Sequence, residues 1–461
     1  MSGEGRPVRS TSLPEASTPT RRECFRYGGF DIDERTGVLH CRYGLDDLTF
    51  EERVSLGAGK DWSNPAAVEA ARLVALLAGV SYYKAGAPPV IDLADVPVRA
   101  GDVEFLRSFY TDGLAEFAFR NDIILDDVKI IGGAAPPPIS GQAPDNPRPL
   151  IPFGGGLDSI VTVELLKPAF PTAALFVMSR TGDRFDAIEA AAARTGLPVV
   201  RASRELDPQI LRSAEHGFLN GHVPVTGILS AVAVLAAVLD HRHAVVMSNE
   251  WSASSATLTV GDRDVNHQYS KSRQFEDGFR AVLARGLGPS VDYFSELRPF
   301  SELWIAEQFA GMGGYLGVFH SCNRAFHIDP AQRQTAWCGE CDKCCFIDLI
   351  LSPFVAREEL TGVFAGREPL EDAALTGRFR TLLETPGTVK PFECVGDVTE
   401  CRAALMLAAQ RADRARNPMI AALVTELGDH GRRALEQVPE LRRPIGPHHI
   451  PDAFFPAAAL G

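Results

Sequence analysis

The stretch Ile151-Pro-Phe-Gly-Gly-Gly-Leu-Asp-Ser159 decides the fold of this chain. It lies between a predicted strand at residues 150–153 and a predicted helix at residues 159–166. Three consecutive glycines allow the backbone to approach an anion closely and to direct several N–H groups toward it. The helix dipole adds partial positive charge at the same place. The segment therefore predicts a phosphate-binding loop at the carboxyl edge of a sheet.

Two polar residues complete this loop. Ser159 adds a hydroxyl at the start of the helix, and the carboxylate of Asp158 can orient Mg²⁺ or cap the turn. The loop lacks both the lysine of a Walker motif and the glycine spacing of a dinucleotide-binding motif. A glycine-rich turn that binds nothing is the alternative interpretation. The Asp-Ser ending and the strand-to-helix context disfavour it.

The motif resembles the SGGxDS signature of the pyrophosphate-loop ATP pyrophosphatases. The resemblance implies ATP as cofactor, with its β- and γ-phosphates held by Gly154, Gly155, Gly156, Asp158 and Ser159. It also implies transfer of AMP to an acceptor and an adenine site near Val177 and Met178. Gly154 replaces the first serine of the signature, so one hydroxyl contact to the pyrophosphate is missing.

Predicted strands and helices alternate from residue 150 onward. Strands at 150–153, 173–178, 197–200 and 244–248 are separated by helices at 159–166, 185–195 and 227–239. This alternation is typical of a parallel sheet with helices on both faces. We therefore predict an α/β fold, a doubly wound and mostly parallel sheet of the pyrophosphate-loop (adenine nucleotide alpha hydrolase-like) type, over residues 150–350.

The rest of the chain divides around this domain. We expect a disordered tail at 1–23, a small mixed α+β domain at 24–133, a linker with six prolines at 134–149, and a mainly helical region at 351–461. Within the small domain, turn signals predict two or three strands of a small sheet at 22–50. Helices are predicted at 65–77 and 103–119, the second capped by Asp102. After Arg443 the sequence predicts a poorly specified tail.

The composition excludes several classes of partner. The 46 lysines and arginines against 59 aspartates and glutamates give a formal net charge of -13. This charge repels nucleic acid and anionic membranes, so an anionic substrate needs a local basic pocket. Residues 1–23 lack the apolar core of a signal peptide, and the longest apolar run, 223–239, predicts a buried helix. We expect a cytoplasmic protein that binds neither nucleic acid nor membranes. The sequence carries no signal for its oligomeric state.

Five of the nine cysteines predict a metal site. The spacing Cys338-Gly-Glu-Cys341-Asp-Lys-Cys344 places three thiolates around one point, and Cys322 can complete a tetrahedron about Zn²⁺. Cys345 can replace Cys322, and Cys322 can instead be a free thiol that faces the substrate. Buried reduced cysteines without metal are the remaining interpretation. The arrangement resembles the zinc knuckle of the 7-cyano-7-deazaguanine synthases, which are pyrophosphate-loop enzymes.

A polar block follows the predicted strand 244–248, where ligands of open α/β sheets bind. Residues 248–255 and 265–276 offer a base that titrates near neutrality, a phenol, a cation and a carboxylate, namely His267, Tyr269, Lys271 and Glu250. Each of them alone is more typical of a solvated loop. Their concentration at this edge favours a catalytic role.

Here the resemblance narrows to one family of enzymes. Four segments resemble the UDP-N-acetyl-α-D-muramoyl-L-alanyl-L-glutamate epimerases of peptidoglycan synthesis: 248–250, 265–276, 321–326 and 337–346. The likeness extends from about Phe105 to Gly396. It implies a small-molecule substrate, a UDP-muramoyl dipeptide. The roles of His267, Tyr269, Lys271 and Glu250 are inferred from their chemistry and not from the resemblance.

Inverting the α-carbon of a terminal glutamate explains the need for ATP. The adjacent ionised carboxylate suppresses the acidity of the α-hydrogen, and adenylation neutralises it. Proton transfer on opposite faces needs groups that titrate near neutrality. His267 with Tyr269 or Lys271 is the first hypothesis, and Cys322 with Cys345 is a rival pair. Arg298, Arg324 and Lys343 are candidate phosphate partners or ordinary surface charges.

Two other functions fit parts of the pattern. An adenylating amidoligase, or a nitrile-forming or thiolation enzyme of the 7-cyano-7-deazaguanine synthase type, would share the first step and pass the acyl adenylate to ammonia or sulfur. The net charge of -13 disfavours a tRNA substrate. A nucleotide sensor without catalysis would use ATP and zinc only to stabilise a surface for a partner.

Overall fold

A computed structural model describes residues 21–133, 136, 139, 147–260, 263–327, 329–388, 390–393 and 395–455. The expected disordered tail and the proline-rich linker fall almost entirely outside the described residues.

Twelve strands occur in the described part of the chain. They are β1 Cys24–Asp33, β2 Val38–Leu45, β3 Leu48–Ser55, β4 Val90–Asp92, β5 Lys129–Ile131, β6 Pro149–Pro152, β7 Ala174–Ser179, β8 Val199–Glu205, β9 Ala244–Met247, β10 Leu258–Val260, β11 Arg263–Val265 and β12 Asp292–Ser295. Strands β10 and β11 form a separate hairpin.

The α-helices of the described residues fall between and after these strands. They are α1 Pro65–Ala78, α2 Val80–Tyr83, α3 Ala100–Thr111, α4 Ala115–Arg120, α5 Leu157–Leu166, α6 Asp186–Thr195, α7 Pro208–Leu211, α8 Val225–Leu239, α9 Arg273–Gly286, α10 Glu302–Gly311, α11 Asp342–Leu351, α12 Arg357–Val363, α13 Thr376–Leu382, α14 Val398–Ala408, α15 Pro418–Leu427, α16 Asp429–Glu436 and α17 Val438–Leu441.

Ten strands form one large sheet in the order β12-β9-β6-β7-β8-β3-β2-β1-β4-β5. The five strands from β12 to β8 are mutually parallel, as the alternating pattern predicts. Strand β6 is the first of these parallel strands in the chain. The chain then runs outward through β7 and β8 and returns to β9 on the other side of β6. The strand order therefore reverses between β6 and β9. In open α/β sheets, such a reversal opens a crevice at the carboxyl ends of the strands.

Helices cover both faces of the sheet, as a doubly wound fold requires. Ile151, Leu175 and Val177 share a core with α5, α6 and the C-terminal helices. Leu150 and Val245 point to the other face of the sheet and share a second core with α1, α8 and α9.

The predicted small N-terminal sheet is not separate. Strands β1, β2 and β3 form where turn signals predict them, but β3 pairs antiparallel with β8, with Ser55 opposite Ser203. The α/β sheet and the N-terminal strands are therefore continuous. Alternating apolar residues show that a strand has a buried face, but they do not show which distant strand it pairs with.

The predicted helix 103–119 is two helices, α3 and α4, and it does not begin at Asp102. Arg99 precedes the first helical residue, while Asp102 lies in the first turn and accepts a 2.7 Å hydrogen bond from Arg285 Nε. Ion pairing takes the Asp102 side chain away from the helix end. The chain after Arg443 also differs from the expected poorly specified tail, because Phe454 stacks on Phe170 at 4.2 Å between ring centroids.

One helical stretch, Pro65–Tyr83, is long and apolar enough to cross a membrane by length and composition alone, and 89% of its most apolar window is buried in the protein. It packs against α8 in the core beneath the sheet.

Candidate active site

The glycine loop lies at the reversal of strand order, between the end of β6 and the start of α5. Gly155 has φ +74°, and a Cβ built there would lie 2.7 Å from the carbonyl oxygen of Ala187. A side chain is therefore excluded at this position. At Gly154, no described atom lies within 4 Å of such a Cβ, so the backbone there is open to a ligand. Gly156 precedes the first residue of α5.

The polar residues of the loop take different positions. Ser159 is 7% exposed, and its hydroxyl donates a 3.0 Å hydrogen bond to the carbonyl of Gly156. Asp158 lies in the first turn of α5 and faces other carboxylates. Met178, predicted near an adenine site, is half-buried near the end of β7 and packs against the core on the α8 face.

Three carboxylates converge beside the loop. One oxygen each from Asp158, Glu250 and Glu302 lies within 4.8 Å of the others. Asp158 follows β6, Glu250 follows β9, and Glu302 opens α10 beyond β12, so three neighbouring strands deliver them to one edge. Sequence reasoning missed Glu302 because β12 was not predicted.

Burial and the charges of neighbouring carboxylates disfavour ionisation of Asp158 and Glu302. Burial, together with the charge of Glu250, raises the pKa of Asp158 to about 6. Burial and the charge of Asp158 raise the pKa of Glu302 well above its ordinary value. Among the described residues, Glu250 Oε2 is buried without a hydrogen-bond partner. Oxygen ligands, closely spaced and incompletely satisfied, fit Mg²⁺.

Two lysines face the carboxylate cluster. The charges of Lys343 and Lys271 both favour the ionised form of Asp158 and so oppose the rise in its pKa. Lys271 also donates a 3.1 Å hydrogen bond to Gln268 Oε1. Two cations beside carboxylates and a glycine loop provide the local positive charge that an anionic substrate needs in an acidic chain.

A second polar cluster contains His267, Glu116 and His222, with one ligand-type atom from each within 4.8 Å of the others. Nδ1 of His267 contacts Glu116 Oε2, and Glu116 Oε1 accepts a 2.6 Å hydrogen bond from Arg120 Nε. Burial is the largest single influence on Glu116 and opposes its ionisation, but the hydrogen bond and charge of His267, the hydrogen bond from Arg120 and the charge of His222 together outweigh it and lower the pKa of this carboxyl. Glu116 therefore orients and polarises the imidazole of His267.

His222 packs against His267, with 4.3 Å between the ring centroids. Burial and the neighbouring His267 lower the pKa of His222 to about 4, so this ring is neutral at physiological pH. The charge of Lys271 acts on both His222 and Asp158, so this lysine is within electrostatic range of the histidine cluster and of the carboxylate cluster. Neither Glu116 nor His222 carries a local sequence signal, since only the fold brings them to His267.

Tyr269 lies apart from these groups. It is 4% exposed, belongs to the core on the α8 and α9 face, and contacts Phe275 edge-on. Burial raises the pKa of its phenol above the ordinary value. Of the four predicted catalytic residues, the structure thus brings His267, Lys271 and Glu250 toward one region and directs Tyr269 into the core.

Four cysteines form a third cluster: Cys322, Cys338, Cys341 and Cys344 have Sγ atoms within 4.8 Å of one another. The separations are 3.6 Å for Cys338–Cys344, 3.5 Å for Cys341–Cys344 and 4.0 Å for Cys322–Cys341. Four sulfurs about 2.3 Å from a tetrahedral centre lie about 3.8 Å apart, so the set fits Zn²⁺. Cys345 is buried and stands outside the group.

The cysteine cluster adjoins the glycine loop. His320 lies two residues before Cys322, and its backbone N–H donates a 2.9 Å hydrogen bond to the carbonyl of Gly155. A Cβ built at Gly156 would lie 3.4 Å from Ser321. Lys343 lies between Cys341 and Cys344 in the chain, and its charge acts on Asp158. The cysteine cluster therefore braces the glycine loop and carries a cation within electrostatic range of the carboxylates.

Two family models match this chain. The MurL N-terminal domain matches residues 16–296, and the MurL C-terminal domain matches residues 318–438. No solved structure gives a significant match.

Three curated relatives are named UDP-N-acetyl-alpha-D-muramoyl-L-alanyl-L-glutamate epimerase. The protein from Xanthomonas oryzae pv. oryzae is 36% identical over 94% of this chain and 96% of its own length. The relative from Micromonospora sp. is 36% identical over 95% of this chain and 98% of its own length. The relative from Salinispora tropica is 36% identical over 96% of each chain. This chain therefore belongs to the UDP-N-acetyl-α-D-muramoyl-L-alanyl-L-glutamate epimerase family.

Proposed function

We propose that this protein is a cytoplasmic ATP-dependent epimerase that converts the terminal L-glutamate of UDP-N-acetylmuramoyl-L-alanyl-L-glutamate to D-glutamate, in the synthesis of peptidoglycan precursors. The names of its relatives support the reaction and the substrate. The observation that most supports the use of ATP is the meeting of the glycine loop with Asp158, Glu250 and Glu302 at the reversal of strand order.

The first step is adenylation. An oxygen of the glutamate α-carboxylate attacks the α-phosphorus of ATP, the bond to the β-phosphate breaks, and pyrophosphate leaves. The open backbone at Gly154 and the N-terminus of α5 bind the pyrophosphate, and the Ser159 hydroxyl turns from the Gly156 carbonyl to donate a hydrogen bond to it. Asp158, Glu250 and Glu302 would hold Mg²⁺, which would supply charge stabilisation to the phosphates. Lys271 and Lys343 stabilise the charge that develops on the oxygens.

Epimerisation follows on the acyl adenylate. The neutralised carboxyl makes the α-hydrogen acidic, and His267, oriented by Glu116, removes it. A proton returned to the opposite face inverts the centre, and water then cleaves the adenylate to AMP and the D-glutamyl product.

The second proton donor is not His222. Reacting atoms on the two sides of a carbon each lie about 3–3.5 Å from it, so the two groups need about 6–7 Å between them. The rings of His222 and His267, 4.3 Å apart, are too close to flank a substrate carbon. Lys271 is the better candidate, because its charge acts on both the histidines and the carboxylates. Burial of Cys345, which raises its thiol pKa, disfavours the cysteine pair.

The four cysteines bind Zn²⁺ in a structural role. A closed site of four thiolates leaves no position for substrate. Its contribution is to hold the segment of His320 and Cys322 against the glycine loop.

The proposal is tested by incubating the protein with ATP, Mg²⁺ and the UDP-muramoyl dipeptide. We expect AMP and pyrophosphate in equal amounts, and D-glutamate after hydrolysis of the product. The UDP-muramoyl-L-alanyl precursor, which lacks glutamate, serves as the control and should release no AMP. AMP formation that requires added ammonia or a sulfur donor would contradict the proposal and favour an adenylating ligase.

A further inference from the structure

A polar cavity of about 350 Å³ lies beyond the ends of β7 and β8, apart from the clusters described above. Three serines line it side by side. Ser179 of β7 is paired with Ser203 of β8, which is in turn paired with Ser55 of β3. Residues at paired positions point to the same face of a sheet, so three hydroxyls form a row on rigid strands.

The charge of this cavity is opposite to that of the chain. Its lining contains three arginines and one aspartate: Arg180, Arg184, Arg201 and Asp183. The aspartate is already neutralised by an arginine outside the lining, since Arg333 forms two 2.6 Å hydrogen bonds to Asp183. Glu189, also outside the lining, pairs with Arg201 and lies 3.8 Å from Arg184, so four arginines here face two carboxylates. In a protein with a net charge of -13, this remaining excess of positive charge favours an anion site.

The cavity walls are held in place by their own contacts. Ser179 donates a 2.8 Å hydrogen bond to the carbonyl of Asp183, which closes the loop after β7. Arg201 is fixed by Glu189 of α6 through hydrogen bonds of 2.9 and 2.8 Å. Arg333 also stacks on Phe185, with its guanidinium 4.0 Å from the ring centroid. These contacts fix the frame of the cavity, from which Arg180 and Arg184 extend, before an anion binds.

The cavity lies next to the glycine loop and begins one residue after Met178, near which the resemblance places adenine, so titration must distinguish the two nucleotides. Strand β7 neighbours β6, and the first turn of α6, at Ala187 and Ile188, contacts the glycine loop at Gly155. The loop at 179–184 immediately precedes that turn. If the glycine loop takes the phosphates of ATP, a second phosphorylated reactant needs a second basic site within reach of the first.

We propose that this cavity binds the diphosphate of a uridine diphosphate group, with Arg180 and Arg184 as the cations and Ser203, whose oxygen accepts a hydrogen bond from Thr181, as a hydroxyl donor. The choice of uridine diphosphate rests on the proposed function, since it is the nucleotide of that substrate. Arginine and hydroxyl groups on a rigid frame suit the charge and the many acceptor oxygens of a diphosphate.

Calorimetric titration of the full-length protein with UDP and, separately, with AMP tests this assignment. The double variant Arg180→Ala/Arg184→Ala should raise the Kd of UDP about tenfold or more, because each charge-assisted hydrogen bond accounts for about a factor of ten. Its Kd for AMP should not change, which also shows that the variant is folded. Arg212→Ala, an exposed arginine outside the cavity, is the matched control. If the double variant does not fold, Ser203→Ala repeats the comparison.

Unchanged UDP binding in these variants would overturn the assignment. A loss of AMP binding with UDP binding intact would also overturn it, because the cavity would then hold the adenosine nucleotide. A protein that binds UDP through this cavity but forms no D-glutamate would refute the proposed reaction and leave the assignment of the cavity standing.

Discussion

Arg298 Nε lies 2.9 Å from Glu276 Oε2, and both side chains are 2% exposed. The same guanidinium donates hydrogen bonds of 2.8 Å to the carbonyl of Glu250 and 2.6 Å to the carbonyl of Lys271. Arg298 is therefore not the surface charge that the sequence allows. One buried ion pair fixes both the chain segment with a candidate metal ligand and the segment with a candidate proton donor.

Arg298→Met should destabilise the protein by about 3–5 kcal/mol, because it leaves the Glu276 carboxylate buried without its partner. Urea unfolding followed by circular dichroism measures the change. Activity should fall as well, since Glu250 and Lys271 lose their shared anchor. Arg212→Met, at an exposed position, is the control and should unfold at the same urea concentration as the parent protein. An equal midpoint for both variants would contradict this account.

Mg²⁺ affinity should depend on pH through Asp158, whose pKa burial and Glu250 raise to about 6. Above pH 6 the carboxylate is ionised and can bind the ion. Below pH 6 a proton competes, so the affinity should fall about tenfold per pH unit. Calorimetric titration of Mg²⁺ from pH 5 to 8 measures it.

Glu250→Gln should move the midpoint of the Mg²⁺ affinity curve to lower pH, because it removes the charge that helps to raise the pKa of Asp158.

The Asp158 carboxyl group also makes the stability of the protein depend on pH, with the opposite sign. The native state keeps a proton between pH 4 and 6 that the unfolded chain releases, so this group makes the protein less stable as pH rises through that window. An Mg²⁺ affinity that stays constant from pH 5 to 8 would contradict the assignment of Asp158 as a ligand of the ion.

His267→Gln should separate the two halves of the reaction. Adenylation does not need this base, so AMP release should persist, while formation of D-glutamate should fall by about 10²–10⁴-fold. Chiral analysis of glutamate and measurement of AMP in the same sample give both rates. His216→Gln, on an exposed segment, is the control. If His267 only packs, its replacement will leave turnover nearly intact.

Zinc content should distinguish the two candidate fourth ligands. Cys322→Ser should lose the bound zinc, because Cys322 Sγ lies within the four-sulfur cluster, whereas Cys345→Ser should keep one zinc per chain. Elemental analysis of the purified variants measures this. Zinc retained in Cys322→Ser and lost in Cys345→Ser would reverse the ligand assignment. Loss of zinc should also lower the affinity for ATP, because the His320 segment contacts Gly155.

The sequence predicts those features whose signals are local. The loop at 154–159 and the Cys338-x-x-Cys341-x-x-Cys344 spacing each act within a few residues, and both form clusters where the patterns indicate. The strands from β6 to β9 follow from their apolar runs. Features that depend on distant pairing do not follow from the sequence, and the β3–β8 junction is one of them.

The same limit applies to the site. Glu302, Glu116 and His222 reach their partners only through tertiary contacts, so no spacing in the chain marks them. Tyr269 shows that nearness in sequence can also mislead. It is two residues from His267, yet the short turn at Tyr269–Lys271 directs its ring into the core against Phe275. Nearness in sequence places residues in one region but does not fix the direction of a side chain.

The most direct test of the central claim is to run the reaction in D₂O with ATP, Mg²⁺ and the UDP-muramoyl-L-alanyl-L-glutamate substrate, and to measure AMP and deuterium at the glutamate α-carbon together. The account predicts one AMP for each D-glutamate formed, with deuterium at the α-carbon of that product and no exchange when ATP is omitted. AMP without α-deuterium, or exchange that proceeds without ATP, would contradict it.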